Sequence, residues 1–338
     1  MKGIQLSQYV KGPEDLVVST LPDPTPAPDQ YLIAVRAAAT NFFDLLQIQG
    51  KYQNQPAFPW VAGAEFAGVV LAVPRASSSS SSGRPPRFAV GDRVFGASQG
   101  AYAHKVCATE QQLRPVPPGW SFAEAAGLFV TAPTGVGLAA VQVAKALGAT
   151  VIATGGTAAK LAVARAFGAD HTINYNDDAD WPASVRALTP HGRGVDVVFD
   201  PVGLVDRSTK CTAWNGRLLV VGFAAGQIER LALNKVLLKN ISVVGVHWGA
   251  YAAHEPAAIA AVWAGLEQLI ARGEFRPTVF APVDSALAAA GQLATVKLGT
   301  TTPFVGLDRV PATLLALGGR ETWGKVVVEI PPEAESKL

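Results

Sequence analysis

The first third of the chain alternates short apolar runs with proline and glycine. Three of these runs, at 31–40, 65–73 and 91–96, have the apolar pattern of β-strands bounded by turn residues. This succession predicts a β-rich, barrel-like or sandwich-like domain over residues 1–118. A serine-rich stretch at 74–87 interrupts it. Because that stretch cannot bury apolar surface, we expect a disordered loop there, with a phosphorylation site as the alternative.

From about residue 126, helical runs alternate with continuous apolar, β-branched runs. Strands that are apolar throughout indicate a parallel sheet covered on both faces by helices, which is an α/β architecture. The expected strands are 151–156, 171–175, 195–203, 217–223 and 241–249. The expected helices are 135–148, 157–168, 206–214 and 256–273. A final run at 324–330 predicts a last strand.

Length and charge narrow the classes of function. At 338 residues the chain predicts two domains. Its 28 Lys and Arg against 26 Asp and Glu leave a net charge of +2 without basic clusters, which argues against nucleic acid or a membrane surface as partner. Two cysteines are too few for a disulfide framework. With no hydrophobic leader and no apolar run of spanning length, we expect a soluble, cytoplasmic protein.

Gly135, Val136 and Gly137 open a helix directly after an apolar run. Glycines at such a place allow a tight turn, and they let backbone N–H groups approach a pyrophosphate at the positive end of the helix. An ordinary loop turn is the alternative for so short a motif. The strand at 151–156 follows the helix, and this context favours a dinucleotide site.

The end of that strand indicates which nucleotide is bound. An NAD site is expected to place Asp or Glu there to bind the ribose hydroxyls. This chain has Gly156 and Thr157 instead, followed by Lys160. A small polar loop followed by a cation suits a ribose phosphate, so we predict NADPH. The alternative is that Lys160 is a solvated helix residue.

The positions of the histidines do not support a metal site. They are scattered along the chain and no pair has the spacing of metal ligands; they are His104, His171, His191, His247 and His254. We therefore expect no metal site, and hydride transfer that rests on positioning and hydrogen bonding.

Seven stretches distributed over most of the chain carry a resemblance to a known family: 39–52, 58–70, 90–96, 135–156, 194–203, 216–226 and 243–251. They resemble the zinc-independent, zeta-crystallin-like NADPH:quinone oxidoreductases of the medium-chain dehydrogenase/reductase superfamily. The resemblance implies a GroES-like catalytic domain over 1–125 and 275–338 and a Rossmann NADPH-binding domain over 126–274. It also implies a homodimer. Zinc-dependent relatives would carry Cys within 41–44 and Gly-His-Glu at 63–65.

The resemblance also implies the site residues. Asn41 and Tyr52 would be catalytic and line the nicotinamide and substrate pocket. The cofactor-binding residues would be Gly135, Val136, Gly137, Gly156, Thr157, Lys160, Tyr175, Gly222, Phe223 and Trp248. The alternative for the two aromatic residues, Phe223 and Trp248, is ordinary core. Asp44 and Asp200 are expected to hold loops together rather than to transfer protons.

The reaction implied is hydride transfer from NADPH to a small-molecule quinone or α,β-unsaturated carbonyl. Tyr52 follows a "QIQGxY" pattern like that of the enoyl-thioester reductases in the same family, so an enoyl thioester is the alternative substrate. A non-catalytic or defective zeta-crystallin-like binding protein is the alternative from another class.

Two departures from the family pattern affect the fold. Residues 281–304 look inserted. Before Gly135 roughly two dozen residues look deleted, including the first Rossmann strand, which is central to the sheet. We weigh two interpretations: the run 128–132 forms a substitute strand, or the chain is a splice variant or mis-assembled gene product that folds poorly. We therefore expect a weakened or inactive reductase.

Overall fold

The computed structural model describes residues 1–75, 85–224, 226, 228–283 and 298–333. The stretch expected to be a serine-rich loop lies largely outside the described residues, and so does most of the expected insertion at 281–304. In the described part, the strands are β1 (Lys2–Leu6), β2 (Val18–Thr20), β3 (Gln30–Ala39), β4 (Trp60–Val61), β5 (Glu65–Ala72), β6 (Arg93–Ala97), β7 (Lys105–Thr109), β8 (Leu113–Pro115), β9 (Ile152–Gly155), β10 (His171–Asn174), β11 (Val195–Asp200), β12 (Thr212–Val220), β13 (Ser242–Gly245), β14 (Phe304–Val305) and β15 (Val327–Glu329).

The α-helices of the same described part are α1 (Phe42–Ile48), α2 (Phe122–Ala126), α3 (Thr131–Thr134), α4 (Leu138–Ala146), α5 (Ala158–Ala166), α6 (Trp181–Ala187), α7 (Val205–Ser208), α8 (Leu233–Lys239), α9 (Tyr251–His254), α10 (Pro256–Ala271) and α11 (Val310–Gly318). None of these helices is long and apolar enough to cross a membrane.

The first compact unit is β-rich and comprises Met1–Val130, Pro277–Pro282 and residues 298–333. Its larger sheet has the order β14-β15-β3-β5-β6-β8, with β7 also paired to β3. Strand β3 is long enough to pair with β7 through its first half and with β15 through its last residues. The inward-facing residues of β3 are fully buried in the core of this unit. The three strands expected in this part of the chain are confirmed as β3, β5 and β6.

The second unit, Thr131–Arg276 among the described residues, alternates helices with parallel strands. Helix α4 begins after Gly137, whose φ of +61° favours glycine, and Gly148 with φ of +80° follows its end. Helix α5 begins at Thr157, whose hydroxyl oxygen accepts the N–H of Lys160. The GroES-like plus Rossmann fold class is therefore confirmed.

The parallel strands of the second unit form two separate sheets instead of one. Strand β9 pairs with β10 alone, and β11, β12 and β13 form the other sheet in that order. Among the described residues, β9 and β11 each lack a partner on one edge. A first Rossmann strand would lie at the centre of such a sheet. The split therefore occurs where the sequence lacks that strand.

The expectation of a sheet covered on both faces is wrong for this unit. Val197 of β11 is 44% exposed, and Val243 and Val244 of β13 are each 40% exposed. With the central strand missing, Val197 of the edge strand β11 lacks some of the neighbours that cover a parallel sheet. The expected helix at 206–214 is also corrected. It ends at Ser208, and residues from Thr212 onward belong to β12.

The substitute-strand interpretation of 128–132 is also wrong. Thr131 begins the short helix α3, and the preceding residues are a turn in which the N–H of Leu128 donates to the carbonyl of Ala125. The N–H of Val130 donates to the Glu65 carboxylate, 2.8 Å away, within the first unit. This tertiary contact overrides the β-branched pattern and holds the segment outside the Rossmann sheets.

Candidate active site

Helix α1 presents Asn41 and Asp44 at its beginning. The Asp44 Oδ2 atom accepts the backbone N–H of Asn41 at 2.7 Å and the hydroxyl of Tyr102 at 2.8 Å. Asp44 Oδ1 is buried and has no hydrogen-bond partner within the described chain. Burial raises the pKa of Asp44 to about 7 and the pKa of Tyr102 well above its usual value. Asp44 thus fixes the start of α1, which agrees with its expected role.

The side chain of Asn41 is held by two buried charges from distant parts of the sequence. Its Nδ2 atom donates to Glu65 Oε2 at 3.2 Å, and the Lys325 ammonium donates to its Oδ1. Lys325 Nζ also lies 2.7 Å from Glu65 Oε2. The Lys325 and Glu65 side chains are 5% and 0% exposed. A buried pair of this kind needs further hydrogen bonds to be tolerated. Here the ammonium donates to Asn41 as well as to Glu65, and Glu65 also accepts from Asn41 and from the N–H of Val130.

Tyr52 lies next to the same helix. Its ring stacks on Phe43 of α1 with the centroids 5.5 Å apart and the planes at 25°. Phe43 is the second residue of α1, so Tyr52 packs beside the first turn of the helix that Asn41 precedes. Tyr52 is half-buried.

Across the described part of the chain, no three His, Cys, Asp or Glu side chains form a group that could hold a metal ion.

Four of the expected cofactor residues gather at the carboxyl ends of β9 and β10. The N–H of Tyr175 donates to the carbonyl of Gly155. The Tyr175 hydroxyl lies 3.1 Å from where a Cβ on Gly156 would be, so glycine leaves room for it. Thr157 caps the start of α5 directly beside this position, and Lys160 lies in the first turn of that helix. The carboxyl ends of parallel strands are where nucleotides bind in this architecture, and no acidic residue lies within 154–160.

The glycine turn differs from a complete phosphate-binding loop. It follows helix α3 instead of a strand, and the N–H groups of Gly135 and Val136 donate to the carbonyls of Ala132 and Thr131 at 3.0 and 3.2 Å. A Cβ on Gly135 would lie 3.4 Å from the Phe199 ring of β11, so the turn lies beside that strand. Two of the three N–H groups expected to bind pyrophosphate are therefore already used.

The remaining expected cofactor residues follow β12 and β13. Phe223 is 42% exposed, so it is not an ordinary core residue, and Trp248 is half-buried against Tyr251. Gly222 lies close to the carbonyl of Pro201. The carboxylate of Asp200, at the end of β11, accepts the N–H groups of residues 202–204 at 2.7–2.8 Å and so holds the adjacent loop, as expected.

Sequence reasoning missed the roles of Glu65 and Lys325. The sequence singled out position 65 only because zinc-dependent relatives would carry Gly-His-Glu at 63–65. Lys325 belonged only to the run 324–330 that predicts the last strand. Both charged residues adjoin apolar strands in the sequence, and this pattern could have indicated a buried ion pair. Charged residues next to buried strands are rarely buried without a partner.

Two family profiles match the chain. The profile "Alcohol dehydrogenase GroES-like domain" matches residues 27–132, and "Zinc-binding dehydrogenase" matches 135–264. Only Pro133 and Thr134 separate the matched segments, which leaves no room between them for a linker and a strand.

Relatives with known names support the same assignment. The quinone oxidoreductase of Pseudomonas aeruginosa is 33% identical over 304 residues, which cover 81% of this chain and 90% of that protein. A quinone oxidoreductase-like protein 2 homolog of Nematostella vectensis is 35% identical over 256 residues, 67% of each chain. Prostaglandin reductase-3 of Bos taurus is 29% identical over 351 residues, 94% of this chain and 85% of the other.

Solved structures agree. A probable oxidoreductase from Mycobacterium abscessus has a TM-score of 0.78 at 31% identity, over 97% of this chain and 98% of that one. The Escherichia coli quinone oxidoreductase complexed with NADPH has a TM-score of 0.77 at 25% identity, over 97% and 100%. Fold and comparisons define an oxidoreductase of the medium-chain dehydrogenase/reductase superfamily. Within it, the chain belongs to the quinone oxidoreductase-like, zeta-crystallin-like family.

Proposed function

We propose that the chain is an NADPH-dependent, metal-independent reductase that transfers a hydride to a quinone or another α,β-unsaturated carbonyl, with a weakened cofactor site. The observation that carries the proposal is the cluster of Gly156, Thr157, Lys160 and Tyr175 at the ends of β9 and β10. Its hydroxyls and ammonium fit a ribose phosphate, and residues 154–160 include no Asp or Glu. Relatives whose names or titles include quinone oxidoreductase and NADPH support it.

Bound NADPH would supply the hydride, and residues of the first unit would act on the acceptor. A carbonyl oxygen gains negative charge as hydride arrives at the conjugated system. The phenol of Tyr52 and the amide of Asn41 are hydrogen-bond donors that stabilise such charge. Asn41 immediately precedes α1 and Tyr52 packs on Phe43 in the first turn of that helix, which supports this assignment. The two donors would hold the carbonyl and raise its reactivity.

The second unit would hold NADPH less firmly than a complete Rossmann domain. The adenosine phosphate end has its residues in place, whereas the glycine turn has used two N–H donors and its central strand is missing. Backbone N–H groups aimed at pyrophosphate are a main source of binding at such turns. The N–H groups of Gly137 and Leu138, at the start of α4, remain without a partner in the described part of the chain and would contact the pyrophosphate.

An NADPH fluorescence titration followed by turnover assays tests this proposal. We expect measurable NADPH binding, no dependence on added zinc, and slow reduction of 1,4-benzoquinone. Preferential turnover of crotonyl-coenzyme A would favour the enoyl-thioester alternative, for which Tyr52 and the prostaglandin reductase-3 relative give some support. Absence of NADPH binding in folded protein would contradict the proposal and favour a non-catalytic binding protein.

We also propose a homodimer formed through β13 and α8. Within the described ranges, strand β13 pairs with β12 alone, and every one of its residues is exposed. Helix α8 presents Leu233, Leu237 and Leu238 to solvent, each more than 70% exposed. An unpaired strand edge beside a cluster of exposed leucines is a surface that a second copy can cover.

A further inference from the structure

A buried clamp of two opposite charges holds the carboxamide of Asn41. Glu65 comes from β5 and Lys325 from the segment before β15, 284 residues after Asn41 in the sequence. Glu65 Oε2 accepts from Asn41 Nδ2 and from the ammonium, while Glu65 Oε1 accepts the N–H of Val130. All three side chains are at least 95% buried. The expected catalytic amide is therefore fixed by charges, and not by packing alone.

The clamp determines which way the amide faces. The alternative orientation would place the NH₂ group against the Lys325 ammonium and the carbonyl oxygen against the Glu65 carboxylate. Both contacts would then be repulsive in a buried site, where electrostatic interactions are poorly screened. The observed orientation, with Oδ1 on the cation and Nδ2 on the anion, is thus the only one with favourable contacts.

In this orientation, Asn41 can form a further hydrogen bond mainly as a donor. An amide NH₂ has two hydrogens, and one is donated to Glu65. The second hydrogen forms no hydrogen bond within the described part of the chain, and we infer that it is the one a ligand would accept. Oδ1 keeps a second lone pair, but the ammonium bound to Oδ1 makes it a poor acceptor. Asn41 is therefore set as a donor, and it fits a ligand that presents an acceptor oxygen such as a carbonyl.

We propose that Lys325 and Glu65 are positioning residues that keep Asn41 as a hydrogen-bond donor toward an acceptor oxygen of the ligand, such as a substrate carbonyl. The inference rests on the proposed function for the identity of the reaction, but the clamp itself is a property of the first unit. It also makes the site dependent on the segment that returns after the Rossmann unit, because that segment supplies the only cation in the clamp.

The test compares Lys325→Met with Lys325→Arg, which keeps the cation. Lys105→Met is the matched control, because Lys105 also forms an ion pair in the first unit, with Asp23 at the surface. With 1,4-benzoquinone at saturating NADPH, we expect kcat of Lys325→Met to fall about 100-fold, as for loss of one stabilising donor. The NADPH Kd should stay within twofold, and Lys325→Arg should recover at least a tenth of the wild-type kcat. An unchanged kcat in folded Lys325→Met would overturn the proposal.

A second readout does not depend on activity. In ¹⁵N NMR spectra, the side-chain NH₂ of Asn41, assigned through Asn41→Asp, should exchange slowly with solvent in wild type and in Lys105→Met. It should exchange fast in Lys325→Met. Equal protection in all three would overturn the clamp. If wild type neither binds NADPH nor reduces the quinone while the protection pattern is as expected, the proposed function fails and the clamp stands.

Because a lone buried Glu65 could unfold the protein, the double variant Glu65→Gln/Lys325→Met removes both charges together. This variant should fold and still lose protection of the Asn41 amide, since a neutral glutamine can face it in either orientation. Retained protection and retained kcat in the double variant would contradict the inference.

Discussion

The backbone N–H of Val136 donates to the carbonyl oxygen of Thr131 at 3.2 Å, so the glycine turn closes onto a helix rather than following a strand. In a complete dinucleotide fold, the strand before this turn lies at the centre of the sheet. Here α3 precedes the turn in the sequence, and the parallel strands lie in two sheets. Deletion of the strand thus changes both the sheet and the hydrogen bonding of the phosphate loop.

The split sheet predicts uneven amide exchange. In the part of the chain that the structure describes, strands β9 and β11 each have one unpaired edge. Their amides should therefore exchange with deuterium at least about tenfold faster than those of β5, which is paired on both sides. Hydrogen–deuterium exchange measured by mass spectrometry on peptides covering these strands checks this. Equal protection of β5 and β9 would show that something fills the gap.

Asp44 predicts a particular pH dependence of stability. Its pKa in the folded protein is about 7, against a usual value of 3.8. The folded state therefore binds the proton more tightly, and the contribution of Asp44 falls as pH rises from about 4 to about 7, by at most about 4 kcal/mol. Asp44→Asn should remove this slope. Urea unfolding at pH 4.5 and pH 7 measures the free energies; identical pH slopes in wild type and variant would contradict the assignment.

We predict that Lys160 binds the ribose phosphate and so favours NADPH over NADH. Lys160→Ala should raise the Kd for NADPH about tenfold, or about 1.4 kcal/mol, while the Kd for NADH stays within twofold. Fluorescence titration with each nucleotide provides both constants. Lys210→Ala, which removes an exposed ammonium elsewhere in the second unit, is the control. An equal change for NADPH and NADH would indicate that Lys160 is a solvated helix residue.

The proposed dimer predicts a response to one surface charge. Leu237 of α8 is 77% exposed, so Leu237→Glu should leave monomer stability within about 0.5 kcal/mol while shifting the protein from dimer to monomer. Size-exclusion chromatography with light scattering measures the mass. Leu147→Glu, at a leucine that is 78% exposed, is the matched control and should remain dimeric. A wild-type monomer would refute the interface.

The sequence predicted most of the secondary-structure elements, but it did not predict the tertiary contacts between them. Alternating and continuous apolar runs located β3, β5 and the parallel strands, and glycines located the ends of α4. The interpretation of 128–132 as a substitute strand was wrong, because local β-branching carries no information about the contact between Val130 and Glu65. The start of β12 was missed because Thr212–Trp214 continues a helical pattern locally, although in the structure it belongs to a strand.

The site shows the same division. The motif around Asn41 and the small polar loop at Gly156 were visible as local patterns. The clamp on Asn41 was not, because Lys325 is 284 residues away and only the fold brings it to Glu65. The use of the Gly135 and Val136 N–H groups by α3 was equally hidden, since it depends on the backbone conformation before the turn.

The most direct test of the account is a calorimetric titration of the wild-type protein with NADPH and, in parallel, with adenosine 2′,5′-bisphosphate. The second ligand carries the ribose phosphate but neither the pyrophosphate bridge nor the nicotinamide. If binding comes mainly from the cluster at β9 and β10, the two Kd values should agree within about tenfold. NADPH binding more than 100-fold tighter than the fragment would contradict the account, because it would require a complete phosphate loop.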